Sequence, residues 1–297
     1  MMKIIVTGCT GFIGGNLLEY LKDRYCIVGV TRHLGNLKST EQIRYEESDY
    51  SIDSLKNIFK EADAVIHLAS QKVGKQEEEG VKAYIESFYI LENVITAADM
   101  CGIRNVINIS SRCVYGNYTE TGFSELDATH PINKYGVMKV CGENLSEYYN
   151  RTRGMRIKNL RLSQVVGYPM KDKYMFSTFL DRVVKNEPLD ILGQGIGKRD
   201  YIYIKDVCRA IECAVQKCER FGIYNIGSGV GISNKDIAEK MVEIFESKSK
   251  INVIKTSPKD SSKIILNVEK AEKELGFVCQ YHMENILFDI KNRKRGD

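Results

Sequence analysis

The sequence predicts an α/β protein built on a doubly wound parallel sheet, and three observations support this fold class. Short apolar segments rich in β-branched residues alternate with segments of helical periodicity in the N-terminal half of the 297-residue chain. The first segment runs into a glycine-rich turn and then into a helical pattern. Beyond Gly167 the segments become shorter. We therefore predict a larger domain over residues 1–166 and a smaller part over 167–297, with elements near 199–217 crossing back over the larger domain.

The first turn of the chain combines a strand, three glycines and a helix start. Residues 3–6 are apolar and β-branched, which predicts a buried strand, and a helical pattern begins at Asn16. Between them Gly8, Gly11 and Gly14 recur at every third position. A helix N-terminus attracts anions, and residues without a Cβ let a pyrophosphate come close. The spacing is a variant of the dinucleotide fingerprint, so the turn predicts a dinucleotide site rather than an ordinary strand-to-helix connection.

The end of the second predicted strand, residues 26–30, bears on the choice of dinucleotide. A carboxylate there would bond the ribose 2′-hydroxyl of NAD, whereas an arginine would accommodate the 2′-phosphate of NADP. The chain has Thr31, Arg32 and His33 at this point and no acidic residue. We therefore expect NADP rather than NAD, unless Arg32 is only a surface charge.

The remaining segments continue the alternation. His67 lies inside a strand, which indicates a packed, hydrogen-bonded side chain, and residues 69–72 follow the carboxyl end of that strand, where such sheets bind ligands. Ser51 is expected to cap the following helix and Asp206 the helix after the strand at 199–204. Further strands are predicted at 43–46, 64–69, 105–109, 156–160, 199–204, 221–226 and 251–254, and helices at 51–60, 81–101, from 135, 176–185 and 233–245.

Composition is that of a globular protein that binds neither nucleic acid nor a membrane. The chain is 43% hydrophobic and 28% charged, with a net charge of +4. Basic and aromatic residues are not interleaved, and the apolar segments are too short to span a bilayer. The N-terminus lacks a signal-peptide pattern, so we expect a cytoplasmic protein. The nine cysteines form no C-x-x-C pair, which predicts reduced core residues and no metal site.

Tyr135 and Lys139 are the residues that carry chemistry. Four positions apart on one helix, they share a face. A free tyrosine has a pKa of about 10, and a nearby ammonium together with an oxidised nicotinamide would lower it. Tyr135 could then exchange a proton with a substrate hydroxyl during hydride transfer, while Lys139 reaches the nicotinamide ribose. Ser111, at the end of the fifth strand, is placed to hold the same substrate oxygen.

With these motifs the chain resembles the extended short-chain dehydrogenases/reductases, in particular the NAD(P)-dependent nucleotide-sugar epimerase/dehydratase group that includes UDP-glucose 4-epimerase. The resemblance extends over nearly the whole length. The matching stretches are 7–14, 66–69, 109–116, 135–139 with 142–143, 160–161 with 166–167, 199–206 and 224–229.

The resemblance implies a Rossmann domain that binds NAD(P) and a C-terminal part that binds a nucleotide sugar. It also implies a homodimer formed through the two long helices. Ser111, Tyr135 and Lys139 are the implied catalytic residues. Ser111, Gln164 and Arg199 are the implied substrate contacts, with Arg199 on the phosphates. The implied cofactor contacts are Gly8, Gly11, Phe12, Ile13, Arg32, Asp49, Leu68, Ala69 and Lys72, together with Tyr135 and Lys139.

Departures from the family pattern narrow the reaction. Dehydratases of the group carry Asp-Glu after the catalytic serine or threonine, whereas this chain has Arg112 and Cys113, which argues against dehydration. Gln164 stands where the group usually has asparagine. We predict a 4-epimerase of the UDP-glucose/UDP-GlcNAc type, with Lys72 as modest support. The alternatives are an NADPH-dependent 4-keto-6-deoxy-sugar reductase, which Arg32 favours, and a non-catalytic NAD(P)-sensing regulator.

Overall fold

The computed structural model describes residues 1–70, 81–170, 174–254 and 262–294. The strands are β1 (Lys3–Thr7), β2 (Cys26–Thr31), β3 (Ile43–Glu47), β4 (Ala64–His67), β5 (Asn105–Ser111), β6 (Arg156–Leu162), β7 (Gln164–Val166), β8 (Leu189–Leu192), β9 (Lys198–Tyr203), β10 (Gly222–Ile226), β11 (Gly231–Ser233), β12 (Ile251–Ile254) and β13 (Lys263–Ile264). The helices are α1 (Phe12–Leu21), α2 (Ile52–Phe59), α3 (Lys82–Met100), α4 (Lys134–Arg153), α5 (Met175–Lys185), α6 (Ile204–Gln216), α7 (Asn234–Phe245), α8 (Glu269–Leu275) and α9 (Met283–Lys294).

The large sheet has seven strands in the order β10-β6-β5-β4-β1-β2-β3. All six neighbouring pairs are parallel. The chain therefore winds outward from β1 to one edge and then from β4 to the other. This arrangement confirms the predicted doubly wound fold, and it places the reversal of strand order between β1 and β4, where such sheets bind ligands.

Both faces of the large sheet are buried, as a parallel sheet requires. Successive side chains of β1 point to opposite faces, so Ile4 and Val6 belong to one hydrophobic core and Ile5 to another. The first core includes residues of α1 and α6, which pack against each other, and the second includes residues of α2 and α3. The site at the strand ends therefore rests on strands held from both sides.

The C-terminal elements form two smaller sheets. In one, β9 lies between β11 and β13 and also pairs with β7; in the other, β8 pairs with β12. Strand β10 returns to the edge of the large sheet, and α6 packs on α1. The boundary between residues 166 and 167 stays a prediction. No helix in the described ranges has both the length and the apolar character needed to cross a membrane.

Three local expectations need correction. Helix α1 begins at Phe12 rather than Asn16, so two glycines lie within it. Asp206 does not cap α6, whose N-cap is Tyr203; its buried carboxylate instead accepts the N–H groups of Gln280 and Tyr281. The cysteines are free thiols, but only Cys9 and Cys208 are buried, and the core prediction is wrong for the exposed ones, Cys26, Cys141 and Cys218.

Candidate active site

The turn between β1 and α1 lies in a cleft at the carboxyl end of the large sheet. Gly8 has a φ of +68°, and a Cβ there would lie 2.7 Å from the amide nitrogen of Ala69. A Cβ on Gly14 would lie 2.3 Å from the carbonyl oxygen of Gly8, so a side chain would push α1 off the turn. Gly11 is the N-cap of α1, and no side chain caps it. The first-turn N–H groups are therefore available to an anion.

The cleft has a volume of about 600 Å³ and extends from the glycine turn to the ends of β5 and β7. A second cavity of about 500 Å³ shares Gly8 and Ala69 and continues past the end of β2. The two spaces meet at the uncapped end of α1, which suits a dinucleotide with its pyrophosphate at the turn. The predicted site residues that line the cleft are Gly8, Gly11, Phe12, Ile13, Leu68, Ala69, Ser111, Tyr135, Lys139 and Gln164.

Arg32 lines the second cavity, as the NADP prediction requires, but it has a partner there. Its guanidinium forms an ion pair of 2.5 Å with Glu86 of α3 and lies 5.9 Å from the ring centroid of Tyr50. Both charged side chains remain about half exposed. A carboxylate that sequence analysis did not associate with this position therefore shares the cavity with Arg32.

Two predicted contacts, Asp49 and Arg199, do not line these cavities, and a third falls outside the described residues. Asp49 is exposed, and its carboxylate accepts the N–H of Ser51 at 2.8 Å, which lowers the pKa of Asp49. Arg199 lies on β9 opposite Ile232 of β11 and does not line the cleft. Lys72 lies outside the described residues. The roles of Asp49, Arg199 and Lys72 stay predictions.

Tyr135 faces Ser111 across the cleft. The Ser111 hydroxyl lies close enough to the Tyr135 phenol to oppose a rise in the pKa of Tyr135, and it accepts the N–H of Cys113 at 3.2 Å. Burial raises the pKa of Tyr135 above its ordinary value. The sequence predicts that an ammonium together with an oxidised nicotinamide lowers this pKa; in the chain itself, the cost of removing a phenolate from water is the largest effect on the pKa, and the Ser111 hydroxyl offsets it only in part. Tyr135 is therefore a phenol in the chain itself, and its predicted partner Ser111 lines the same cleft.

Lys139 lies one helical turn beyond Tyr135 and points the same way. Its ammonium donates to the carbonyl oxygen of Ile109 at 2.8 Å and to the Ser70 hydroxyl at 3.3 Å, and it lies 5.5 Å from the Tyr135 ring centroid. Burial lowers the pKa of Lys139 to about 8, while the Glu143 carboxylate acts in the opposite direction. Lys139 is thus charged at neutral pH and held at the end of β5.

One glycine explains how α4 brings Tyr135 to Ser111. A Cβ on Gly136 would lie 2.1 Å from the carbonyl oxygen of Cys113, so only glycine lets the helix approach the turn after β5 so closely. The Asn133 side chain accepts the N–H of Gly136 at 2.7 Å and starts the helix there. The first turn of α4 and the end of β5 are consequently packed against each other.

A buried ion pair beneath the site was missed as a functional feature, although both residues belong to the stretches that carry the resemblance. Glu143 and Arg161 are each 3% exposed and make a bidentate contact at 2.7 and 2.9 Å. Glu143 also accepts the hydroxyl of Ser110, and Arg161 donates to Tyr115 at 2.6 Å. The sequence feature that points to this pair is the position of Glu143, which is four residues after Lys139 and therefore on the same helix face.

The fold and the cleft define a dinucleotide-dependent α/β enzyme with a Ser-Tyr-Lys site at the strand ends. The model of the NAD dependent epimerase/dehydratase family matches residues 4–227, and the chain belongs to that family. This confirms the resemblance and the predicted enzyme class, an NAD(P)-dependent epimerase or reductase.

Several similar proteins are named for an activity on nucleotide sugars. The dTDP-4-dehydro-6-deoxyglucose reductase of Escherichia coli is 28% identical, with 92% of each chain covered. The UDP-glucuronate 4-epimerase of Thermodesulfobacterium geofontis is 25% identical, covering 95% of this chain and 93% of that protein. The crystal structure of UDP-N-acetylglucosamine 4-epimerase from Bacillus cereus superimposes with a TM-score of 0.90 at 28% identity, covering 100% of this chain and 98% of that one.

Proposed function

We propose that this protein is a nucleotide-sugar 4-epimerase that acts by reversible hydride transfer at C4 of a nucleoside-diphosphate hexose of the UDP-glucose/UDP-GlcNAc type. The observation that carries the proposal is the convergence of Ser111, Tyr135 and Lys139 in one cleft, with the Lys139 ammonium held on the carbonyl oxygen of Ile109 at 2.8 Å. Binding alone does not require these three groups to converge, which argues against a non-catalytic regulator. Two similar proteins are 4-epimerases of UDP-sugars.

The residues divide the work in a simple way. The glycine turn and the N-terminus of α1 would hold the cofactor pyrophosphate. A bound nicotinamide supplies a reversible hydride acceptor. Tyr135 would take the proton of the C4 hydroxyl as the phenolate, which the positive charges of Lys139 and an oxidised nicotinamide would favour, and would later give the proton back; Ser111 hydrogen-bonds the same oxygen throughout. Lys139 holds its positive charge beside the phenol, which favours the phenolate at the moment of proton transfer.

For the cofactor we propose NADP rather than NAD, because Arg32 lies at the end of β2 in the second cavity. Its pairing with Glu86 is the opposing feature, since a carboxylate repels a phosphate. A bound 2′-phosphate would have to replace Glu86 as the partner of Arg32. The family is described as NAD dependent, so measured affinities for NADP and for NAD are needed to decide between the two cofactors.

For the assembly we propose a homodimer through α3 and α4. Both helices expose large apolar side chains, with Tyr89 59% exposed on α3 and Tyr148 56% exposed on α4, and Ile85 and Val137 extend the apolar surface. Such a surface is typical of a protein interface. Light scattering after chromatography should give twice the chain mass, and Tyr89→Glu with Tyr148→Glu should give the monomer. A monomeric wild-type protein would remove this proposal. The cytoplasmic location remains a prediction.

The proposed function is tested in an assay in which no net oxidation or reduction takes place. Pure protein is mixed with UDP-glucose, UDP-GlcNAc or UDP-glucuronate without added reductant, and the sugars are followed by NMR. Interconversion of C4 epimers without net cofactor change supports the epimerase. The second candidate is a 4-keto-sugar reductase, which Arg32 and the 28% identical reductase favour. Oxidation of NADPH on a 4-keto sugar, with no interconversion in the first assay, would select the reductase instead.

A further inference from the structure

Arg112 is a cation in the cleft that the proposed mechanism does not use. It directly follows Ser111 at the end of β5 and lines the cleft together with Ser111 and Tyr135. Its guanidinium donates to the side-chain oxygen of Gln164, the first residue of β7, at 3.2 Å. Two of the residues that depart from the family pattern, Arg112 and Gln164, are therefore in contact with each other. This contact fixes the guanidinium between two strand ends.

The charge of Arg112 is not balanced by a nearby acid. Among the described residues, no carboxylate lies within 4.0 Å of the Arg112 guanidinium, the distance that defines an ion pair. The Gln164 amide is neutral and does not offset the charge. A guanidinium has five donors, and this hydrogen bond occupies one of them. A second cation, Arg199, lies behind this part of the cleft, because it is two residues from Tyr201, the residue of β9 that pairs with Gln164. This end of the cleft is therefore positively charged.

Ser163 gives a second, independent observation at the same wall. It is 5% exposed, it lies next to Gln164, and it belongs to the residues that line the cleft. Its hydroxyl has no hydrogen-bond partner among the residues that the structure describes. A buried hydroxyl without a partner is costly, so one is expected to meet a ligand group here. Arg112 and Ser163 together offer donors to an acceptor that the chain itself does not provide.

The position of Arg112 identifies the acceptor. The cofactor phosphates have their own site at the glycine turn, and the resemblance assigns the sugar-nucleotide phosphates to Arg199. Arg112 is instead adjacent to Ser111, which lines the cleft with Tyr135 at the point where the proposed mechanism places the C4 hydroxyl. The group next to C4 on a hexose that can carry a negative charge is the substituent of C5. A carboxylate there matches a guanidinium in charge and in fork geometry.

We propose that Arg112, held in place by Gln164, is a specificity-determining residue that binds the C5 carboxylate of a nucleoside-diphosphate hexuronate. This inference rests on the proposed function and narrows its substrate to the acid form of the sugar. Because a guanidinium and a carboxylate form strong charge-assisted bonds, the acid is expected to react at least about tenfold more efficiently than the neutral sugar.

The experiment compares UDP-glucuronate with UDP-glucose, in wild-type protein and in Arg112→Met. The wild type should show a kcat/KM at least about tenfold higher for the uronate, and Arg112→Met should remove that difference by lowering the value for the uronate. Wild-type preference for UDP-glucose would overturn the inference and leave the epimerase standing. An equal loss on both sugars in Arg112→Met would also overturn it, because Arg112 would then serve the shared diphosphate.

Two additions keep the outcome clear. If neither sugar is epimerised, the proposed function fails, and calorimetric affinities of the two sugars still test recognition: tighter binding of the uronate, lost in Arg112→Met, supports it, and equal binding overturns it. If Arg112→Met does not fold, Arg112→Lys replaces it. Lysine keeps the charge but loses the fork, so the preference for the uronate should shrink without vanishing. An unchanged preference in Arg112→Lys contradicts bidentate recognition.

Discussion

The two ends of the active-site cleft are built from different parts of the chain. At the end proposed for the cofactor, here called the cofactor end, the lining comes from one continuous turn, residues 8–14, and from backbone groups that no side chain covers. At the end proposed for the sugar, here called the sugar end, it comes from side chains at the end of β5, on β7 and on α4, with Arg112 and Gln164 joined across 52 positions of sequence. The first end is a property of backbone geometry, and the second is a property of packing. Substrate choice can therefore change at one end without disturbing the other.

The largest effect is expected from Tyr135→Phe, which removes the proton carrier but leaves the cofactor end intact. Turnover should fall by about 10²–10⁴-fold, the usual contribution of a positioned acid–base group, while cofactor affinity measured by calorimetry stays near the wild-type value. Tyr118→Phe, which removes an exposed phenol in the loop after β5, is the matched control. Full activity in Tyr135→Phe would falsify the site assignment.

Next in size is Arg161→Met, which tests whether the sugar end depends on the ion pair beneath it. The variant leaves Glu143 buried without its partner, so the free energy of unfolding should drop by about 3–5 kcal/mol. Arg151→Met breaks an exposed pair with Glu147 and should cost less than about 1 kcal/mol. Denaturant titration measures both. An equal decrease in the free energy of unfolding in the two variants would show that the buried ion pair does not stabilise the sugar end of the cleft.

The pH dependence of activity comes third and concerns Lys139. Its pKa of about 8 lies below the ordinary lysine value, so the ammonium is present below pH 8 and is lost as the pH rises through 8. We expect kcat/KM to be level below that point and to fall above it. Because the Glu143 carboxylate raises this pKa, Glu143→Gln should move the falling limb to lower pH. If the variant folds and the falling limb stays at the same pH, a group other than Lys139 causes the loss of activity.

The smallest effect is expected from Glu86→Gln, in the second cavity past the end of β2, where the adenosine ribose of the cofactor would lie. Without its carboxylate partner, Arg32 is free for a 2′-phosphate, and NADP affinity should rise by about two- to fivefold, the scale of an exposed ion pair. NAD affinity should change less. Glu92→Gln, on the same helix α3, controls for loss of charge. A gain for NAD instead of NADP would mean that Glu86 does not oppose the phosphate.

The difference between the two ends also explains what sequence could predict. The glycine turn, the parallel sheet, and the placing of Tyr135 and Lys139 on one helix face follow from local periodicity and spacing. The partner of Arg32 does not, because Glu86 belongs to a helix 54 positions later. Asp206 looked like a helix cap by its spacing, yet tertiary contacts with the segment at residues 280–281 determine its role. The pKa of Tyr135 depends on burial, which only packing sets.

Strand β10 has a consequence for how the protein is made. It completes the large sheet beside β6, so that edge of the sheet has no neighbour until residue 226 has left the ribosome. Until then β6 presents open backbone hydrogen-bonding groups, which are a template for aggregation with other nascent chains. A chain cut short before β10 would therefore be inactive and would also expose β6 to pairing with other chains. Binding of a chaperone to β6 before β10 is made would prevent that pairing.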